Sequence, residues 1–462
     1  MAPPIDPPEP AASTPSIWTP DSWRQFPVAQ KVAYPDPARL EDALGRLRAL
    51  PPLVTSWEIE RLRGYLSEAE AGKRFLLQGG DCAETLSDCR SDVVAAKLKI
   101  LLQMSVVLIH GCKKPVIRLG RFAGQYAKPR SSPVEKRGDI ELPSYYGDLV
   151  NRSPFTPEAR NPDPELLLQG YLHATATLNF VRSLAGGGFA DLHHPEFWDL
   201  EHLERSELPE GLREQYRRMT REIAAAIDFM EALGDAPVDD LSRVEFFASH
   251  EGLSLYYESA QTRKVPRRQG YYDLTTHLPW IGERTRNLDG AHIEFFRGIR
   301  NPVGVKVGPK ATPTELLALI RALNPDNETG KLLIITRMGA DNVLAALPPL
   351  VQAVRRADLR GLWVSDPMHG NGRVLESGIK TRSFDDITAE IERSHEVHAQ
   401  NGSHLGGVHF ELTGDDVTEC IGGGLSETDL DRNYQSACDP RLNYRQSLEM
   451  AFRLSNILGR NV

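Results

Sequence analysis

The sequence predicts an α/β protein, a closed (β/α)8 TIM barrel with an N-terminal extension and a helical insertion between strands 2 and 3. Three observations predict it: eight short apolar runs of strand character, helical patterns between most of them, and a polar group at the end of every run. At 462 residues the chain is long enough for about three domains of roughly 150 residues, yet a barrel of about 250 residues forms as one unit.

Twelve of the 33 prolines precede Leu53, which predicts a mobile tail over residues 1–15 and an extended arm over 16–55. Trp18, Trp23 and Phe26 predict that this arm docks, on its own domain or across a subunit interface. Residues 56–462 are assigned to the barrel. The eight runs are Arg74-Phe-Leu-Leu-Gln78, Pro115-Val-Ile-Arg-Leu119, Val244-Glu-Phe-Phe-Ala248, His277-Leu-Pro-Trp-Ile281, Val303-Gly-Val-Lys-Val307, Leu332-Leu-Ile-Ile-Thr336, Gly361-Leu-Trp-Val-Ser365 and Gly407-Val-His-Phe-Glu411. Helical patterns follow at Thr312 to Leu323, Ala340 to Arg355 and Phe384 to Gln400. Repeated strand–helix units predict parallel strands with right-handed crossovers. The long gap after the second run carries helical patterns at Pro164 to Leu184 and Leu208 to Leu233, hence an inserted helical segment at about 150–240.

With 54 Lys+Arg against 63 Asp+Glu, a net charge of −9 leaves no electrostatic footprint for nucleic acid. The most apolar stretch, Val93 to Cys112, is interrupted by Lys97, Lys99, Gln103 and Ser105, which predicts a buried helix and no membrane span. The N-terminus lacks a secretory pattern, and five cysteines are too few for a disulfide framework, so a cytoplasmic location is expected.

In a parallel barrel the strand C-termini share one mouth. The groups there fall into two sets. Arg121, Arg284, Lys306 and Arg337, joined by Lys128-Pro-Arg-Ser-Ser132, form a cationic set suited to carboxylate and phosphate oxygens. Cys82, His369, Glu411 and Asp439 form a donor set of one thiolate, one imidazole and two carboxylates, suited to Mn²⁺, Fe²⁺, Co²⁺ or Zn²⁺. A lone buried Cys or His is more often structural than a ligand; placement at a shared strand end tips the balance. No Gly-Lys-Ser/Thr follows Gly422-Gly-Gly424, so it is not a P-loop.

The motifs Leu77-Gln-Gly-Gly-Asp-Cys-Ala-Glu84, Gly124-Gln-Tyr-Ala-Lys-Pro-Arg-Ser131, Trp280-Ile-Gly-Glu-Arg-Thr-Arg286, Asn301-Pro-Val-Gly-Val-Lys306, Asp366-Pro-Met-His-Gly-Asn371 and Cys438-Asp-Pro-Arg-Leu-Asn443 resemble the type II (plant-like) 3-deoxy-D-arabino-heptulosonate 7-phosphate (DAHP) synthases, from about Trp18 to Leu458. The resemblance implies one divalent metal, Mn²⁺ first among the candidates, and condensation of phosphoenolpyruvate with erythrose 4-phosphate in the shikimate pathway. Carried over by position, it implies Cys82, His369, Glu411 and Asp439 as metal ligands. It puts phosphoenolpyruvate on Arg121, Glu283, Arg284, Lys306 and Arg337, and the second phosphate on Lys128, Arg130 and Ser131. Lys306, Glu251 and Glu283 become the candidates for proton transfer. It further implies a homodimer or homotetramer with a chorismate mutase as candidate partner. An amino-DAHP synthase acting on an amino-sugar phosphate is the alternative, and Cys82 and Cys438 are candidates for a redox pair.

Overall fold

The computed structural model describes residues 18–187, 210–233, 244–436 and 438–459. Eight parallel strands close a barrel: β1 (Phe75–Gly80), β2 (Val116–Arg121), β3 (Phe247–Glu251), β4 (Leu278–Ile281), β5 (Val303–Val307), β6 (Leu332–Thr336), β7 (Leu362–Ser365) and β8 (Gly407–Glu411). Each strand pairs with its neighbours in chain order, and β8 closes against β1. These are the eight expected runs, with some starts shifted by one to three residues and the first three ends by two or three.

Alternation along the strands separates two cores. Val303, Val305, Val307, Leu332 and Ile334 pack outward with Leu316, Leu319 and Ile320 of helix Pro313–Leu323. Leu76, Ile117, Leu119, Phe247, Leu278, Trp280, Leu333 and Ile335 make an inner cluster. Leu62, Leu66 and Ala69 of helix α1 (Ser56–Glu70) join that cluster and plug the N-terminal end. A Thr55 capping box starts α1: Thr55 Oγ1 accepts from the Glu58 amide, and the Glu58 carboxylate accepts from the Thr55 amide at 2.8 Å.

The strand register decides what meets at the other end. Gly80 lies opposite both Arg121 and Glu411, and Glu251 opposite Trp280. Inward positions that are apolar near the plug thus become charged at the mouth.

Helix α2 (Ser91–Cys112) is the one described helix long and apolar enough to cross a membrane, and most of it is buried. It packs against the C-terminal helix α3 (Tyr444–Gly459) so closely that a Cβ on Gly111 would overlap Ser455 Oγ. Two further helices, Glu165–Gly186 and Glu210–Leu233, lie between β2 and β3 in the chain.

The expected extended arm differs from what is found. Residues Pro37–Ala49 are helical, because Asp36 caps the Ala38 and Arg39 amides and Leu40, Ala43, Leu44 and Leu47 give one buried face. The arm's tryptophans sit on the chain's own barrel: Trp18 Nε1 donates to the Glu294 carbonyl at 2.8 Å, and Trp23 meets the Tyr256 ring edge-on at 5.1 Å. The expected mobile tail, residues 1–15, lies outside the described residues.

Candidate active site

A cavity of about 290 Å³ opens at the strand C-termini. Its wall carries five cations, Lys128, Arg284, Lys306, Arg337 and Arg382, against three carboxylates, Glu251, Glu283 and Asp439, with His369 beside them. Behind this wall lie Cys82, Arg121 and Glu411, each almost completely buried.

Glu411 ends β8 and organises the floor. Its Oε1 lies 3.0 Å from Arg121 Nη2, 3.1 Å from His369 Nε2 and 3.6 Å from Lys128 Nζ, and its Oε2 lies 2.8 Å from Arg382 Nη1. Burial alone would raise this carboxyl; His369, Lys128, Arg382 and Arg121 hold it well below the usual carboxylate range.

The donor set converges. Ligand atoms of Cys82, Glu411 and Asp439 all lie within 4.8 Å of one another. His369 adjoins them through Glu411, and its Nδ1 is 2.8 Å from Asp366 Oδ2. A carboxylate acceptor there orients the ring, so Nε2 faces the cluster. The set also holds a positive charge already. Lys128 Nζ touches Cys82 Sγ and lies 2.5 Å from Asp439 Oδ2, and its ammonium stays protonated against burial because Cys82, Glu411 and Asp439 surround it. A thiol and two carboxylates around a point that favours a cation, with the His369 imidazole beside Glu411, fit a borderline divalent ion.

The remaining expected residues fall around the same cavity. Lys306, from β5, pairs with Asp366 at 2.8 Å; burial lowers its pKa and Asp366 opposes the shift. Glu251 ends β3 with its amide donating to Gln125 Oε1 at 2.8 Å, while its own buried Oε1 has no hydrogen-bond partner. Burial raises the Glu251 carboxyl, opposed chiefly by Lys306 and Lys128. Arg337 reaches the His369 carbonyl at 2.5 Å. Glu283 pairs with Arg286 at 2.9 Å through Oε1, leaving Oε2 unpartnered. At the rim Arg284 Nη2 donates to Ser131 Oγ at 3.1 Å, and Arg130 Nη1 lies 3.9 Å from Cys438 Sγ. Arg121 is set below the cavity, against Glu411 and, at 2.7 Å, His409 Nε2. All five cysteines are free.

Arg382 is not foreseeable from strand ends. It comes from the hairpin of Gly372–Val374 and Lys380–Arg382, so a rule that inspects only the ends of apolar runs passes over it. Gln125 was visible only as a member of a motif, and Asp366 as the residue that follows the seventh run.

Known proteins resemble this chain along nearly its whole length. The profile of the class-II DAHP synthetase family matches residues 18–455. A protein from Neurospora crassa is 47% identical over 457 residues, covering 95% of this chain and 94% of its own length. One from Streptomyces coelicolor is 47% identical over 439 residues, with 95% and 96% covered. A third, from Mycolicibacterium smegmatis, is 43% identical over 467 residues, with 98% of each covered. All three are named phospho-2-dehydro-3-deoxyheptonate aldolase.

Proposed function

The chain belongs to the class-II DAHP synthetase family, and from that premise we propose how its residues divide the work of a 3-deoxy-7-phosphoheptulonate synthase. The reaction is a metal-dependent condensation of phosphoenolpyruvate, erythrose 4-phosphate and water to DAHP and phosphate, the first step of the shikimate pathway. The observation that carries the assignment of roles is the single cavity in which a cation-rich wall adjoins the Cys82, Glu411 and Asp439 donors.

Cys82, His369, Glu411 and Asp439 hold the divalent ion, Mn²⁺ in this reading. When bound, such an ion supplies Lewis-acid stabilisation for charge developing on an aldehyde oxygen. Arg337, Lys306, Arg284 and Arg121 hold the phosphate and carboxylate of phosphoenolpyruvate. Lys128, Arg130 and Ser131 face the phosphate of the aldose. Fixing both anions sets the nucleophilic C3 against the aldehyde carbon, a task of position and orientation. After that bond forms, water adds at C2 and phosphate leaves from the resulting hemiketal phosphate.

Glu251 is suited to take the proton from that water, since its Oε1 is unpartnered and burial raises its pKa, which makes it a stronger base. Lys306, paired with Asp366, holds a proton at Nζ beside the reacting carbons. Glu283 Oε2 is the other free carboxylate oxygen on the wall. The same reading includes a homodimer or homotetramer, a cytoplasmic location and a chorismate mutase as candidate partner.

The test follows the ultraviolet absorbance of phosphoenolpyruvate in metal-stripped protein, adding Mn²⁺ and then erythrose 4-phosphate. Loss of absorbance only after both additions is expected. No loss with metal bound, but loss with the amino-sugar phosphate, would replace the substrate with that of an amino-DAHP synthase.

A further inference from the structure

Beside the Cys82 and Asp439 segments lies a second group of charges that the proposed reaction does not use. Asp81 precedes Cys82, and its carboxylate is held from two sides: Oδ2 by Lys97 Nζ at 2.6 Å and Oδ1 by Arg441 Nη1 at 2.6 Å. Lys97 comes from α2, and its ammonium also lies 3.4 Å from Glu84 Oε1. The other Glu84 oxygen accepts from the Gly124 and Gln125 amides at 3.2 and 3.1 Å. Gln125 Oε1 in turn accepts from the Glu251 amide at 2.8 Å. On the far side Arg441, two residues past Asp439, pairs with Glu419 at 2.8 Å. Glu419 accepts from the Gln435, Ser436 and Arg441 amides at 3.2, 2.8 and 2.7 Å.

One chain of contacts therefore joins three segments. The first carries Cys82, the second carries Lys128, and the third carries Asp439. Segments that distant in sequence gain no mutual order from local structure; Cys82 Sγ and the Asp439 amide, 3.2 Å apart, are separated by 357 positions. Buried charges are a poor choice for stability alone, because desolvation offsets their attraction and apolar residues of similar volume do as well. What charged pairs add is direction, since each carboxylate is satisfied in only one arrangement of its donors.

We propose that Lys97 is a positioning residue for the metal site: through Asp81 and Glu84 it sets the Cys82 loop and the Gly124–Lys128 loop in the relative placement that ion binding requires. Lys97 touches neither substrate nor ion. The inference rests on the reading of Cys82 as a metal ligand.

The test uses full-length protein stripped of metal and reloaded with Co²⁺, comparing wild type, Lys97→Met, and Lys97→Met with Glu84→Gln. The double variant removes one cation and one anion together and leaves Asp81 paired with Arg441, so it carries the test where the single variant fails to fold. Two quantities are read: the Co²⁺ dissociation constant by chelator competition, and the thiolate-to-cobalt charge-transfer band, which reports Cys82 on the ion. Loss of a direct partner of a ligand typically costs about 10- to 100-fold in affinity; Lys97 acts one contact further out, through Asp81, so a loss of about 10-fold follows. That loss is expected in both variants, with a weaker band per bound Co²⁺. A double variant with wild-type affinity and band overturns the proposal and leaves the ligand assignment standing. Wild type that binds Co²⁺ without the band overturns the Cys82 assignment itself, and this inference with it.

Discussion

Two charge networks share the mouth of this barrel, and they are built differently. Around Asp81 every carboxylate has its cation or its amide donors: Asp81 has Lys97 and Arg441, Glu84 has Lys97 and two backbone amides, and Glu419 has Arg441 and three. Around Glu411 the cations outnumber the carboxylates, and Glu251 Oε1 and Glu283 Oε2 find no partner. In the proposed division of work the complete network holds a shape and the open one takes the ligands.

The largest effect should come from the centre of the incomplete network. Glu411→Gln removes an anion on which Arg121, Arg382, Lys128 and His369 converge, and activity should fall by about 10³-fold or more, matching the several kcal/mol a metal ion contributes. Steady-state rates with Mn²⁺ in excess measure it; near-normal rates would end the ligand assignment.

Lys306→Met should lower kcat by about 10²- to 10⁴-fold, the range of a positioned proton donor. Arg337→Met should mainly raise KM for phosphoenolpyruvate, by about 10- to 100-fold, as expected for charge-assisted contacts of roughly 1.5–3 kcal/mol. Opposite patterns in the two variants would exchange their roles.

A fourth prediction concerns pH. Glu390 is buried under the His369 loop, accepting from the Met338 amide at 2.8 Å and from Asn371 Nδ2 at 2.7 Å. Burial raises its carboxyl from 4.5 to about 7 against those bonds. The folded protein therefore holds an extra proton between those values, and stability falls as pH rises through that window. Glu390→Gln lacks the loss. Its stability relative to wild type should improve by up to about 3 kcal/mol between pH 5 and pH 8, since each tenfold difference in proton affinity is worth about 1.4 kcal/mol. Urea unfolding at both pH values reads it, and a constant difference would refute it.

The smallest effect lies farthest from the mouth. Thr55→Ala removes the cap of α1 at the plugged end and should cost about 1 kcal/mol of stability with kcat/KM unchanged. A change in kcat/KM would show that the plug and the mouth are coupled.

Eight strands, the helices between them and the residues at the strand ends were legible in the sequence, because apolar period and chain order are local properties. The candidate metal donors were legible as a set only through residue type and placement at strand ends and in one motif, since nothing in their spacing brings Cys82 near Asp439. Arg382 was illegible because a hairpin, not a strand, delivers it. Lys97 read as a polar break that kept an apolar helix out of a membrane; its ion pairs exist only once β1 and α2 pack together.

The sequence alone determined the barrel, its order and the chemistry available at its mouth, because strand and helix patterns and residue types are written along the chain. The tertiary structure decided which charges pair and which remain open. Pairing depends on distances of a few ångströms between segments hundreds of residues apart, and the closed barrel's register sets those distances.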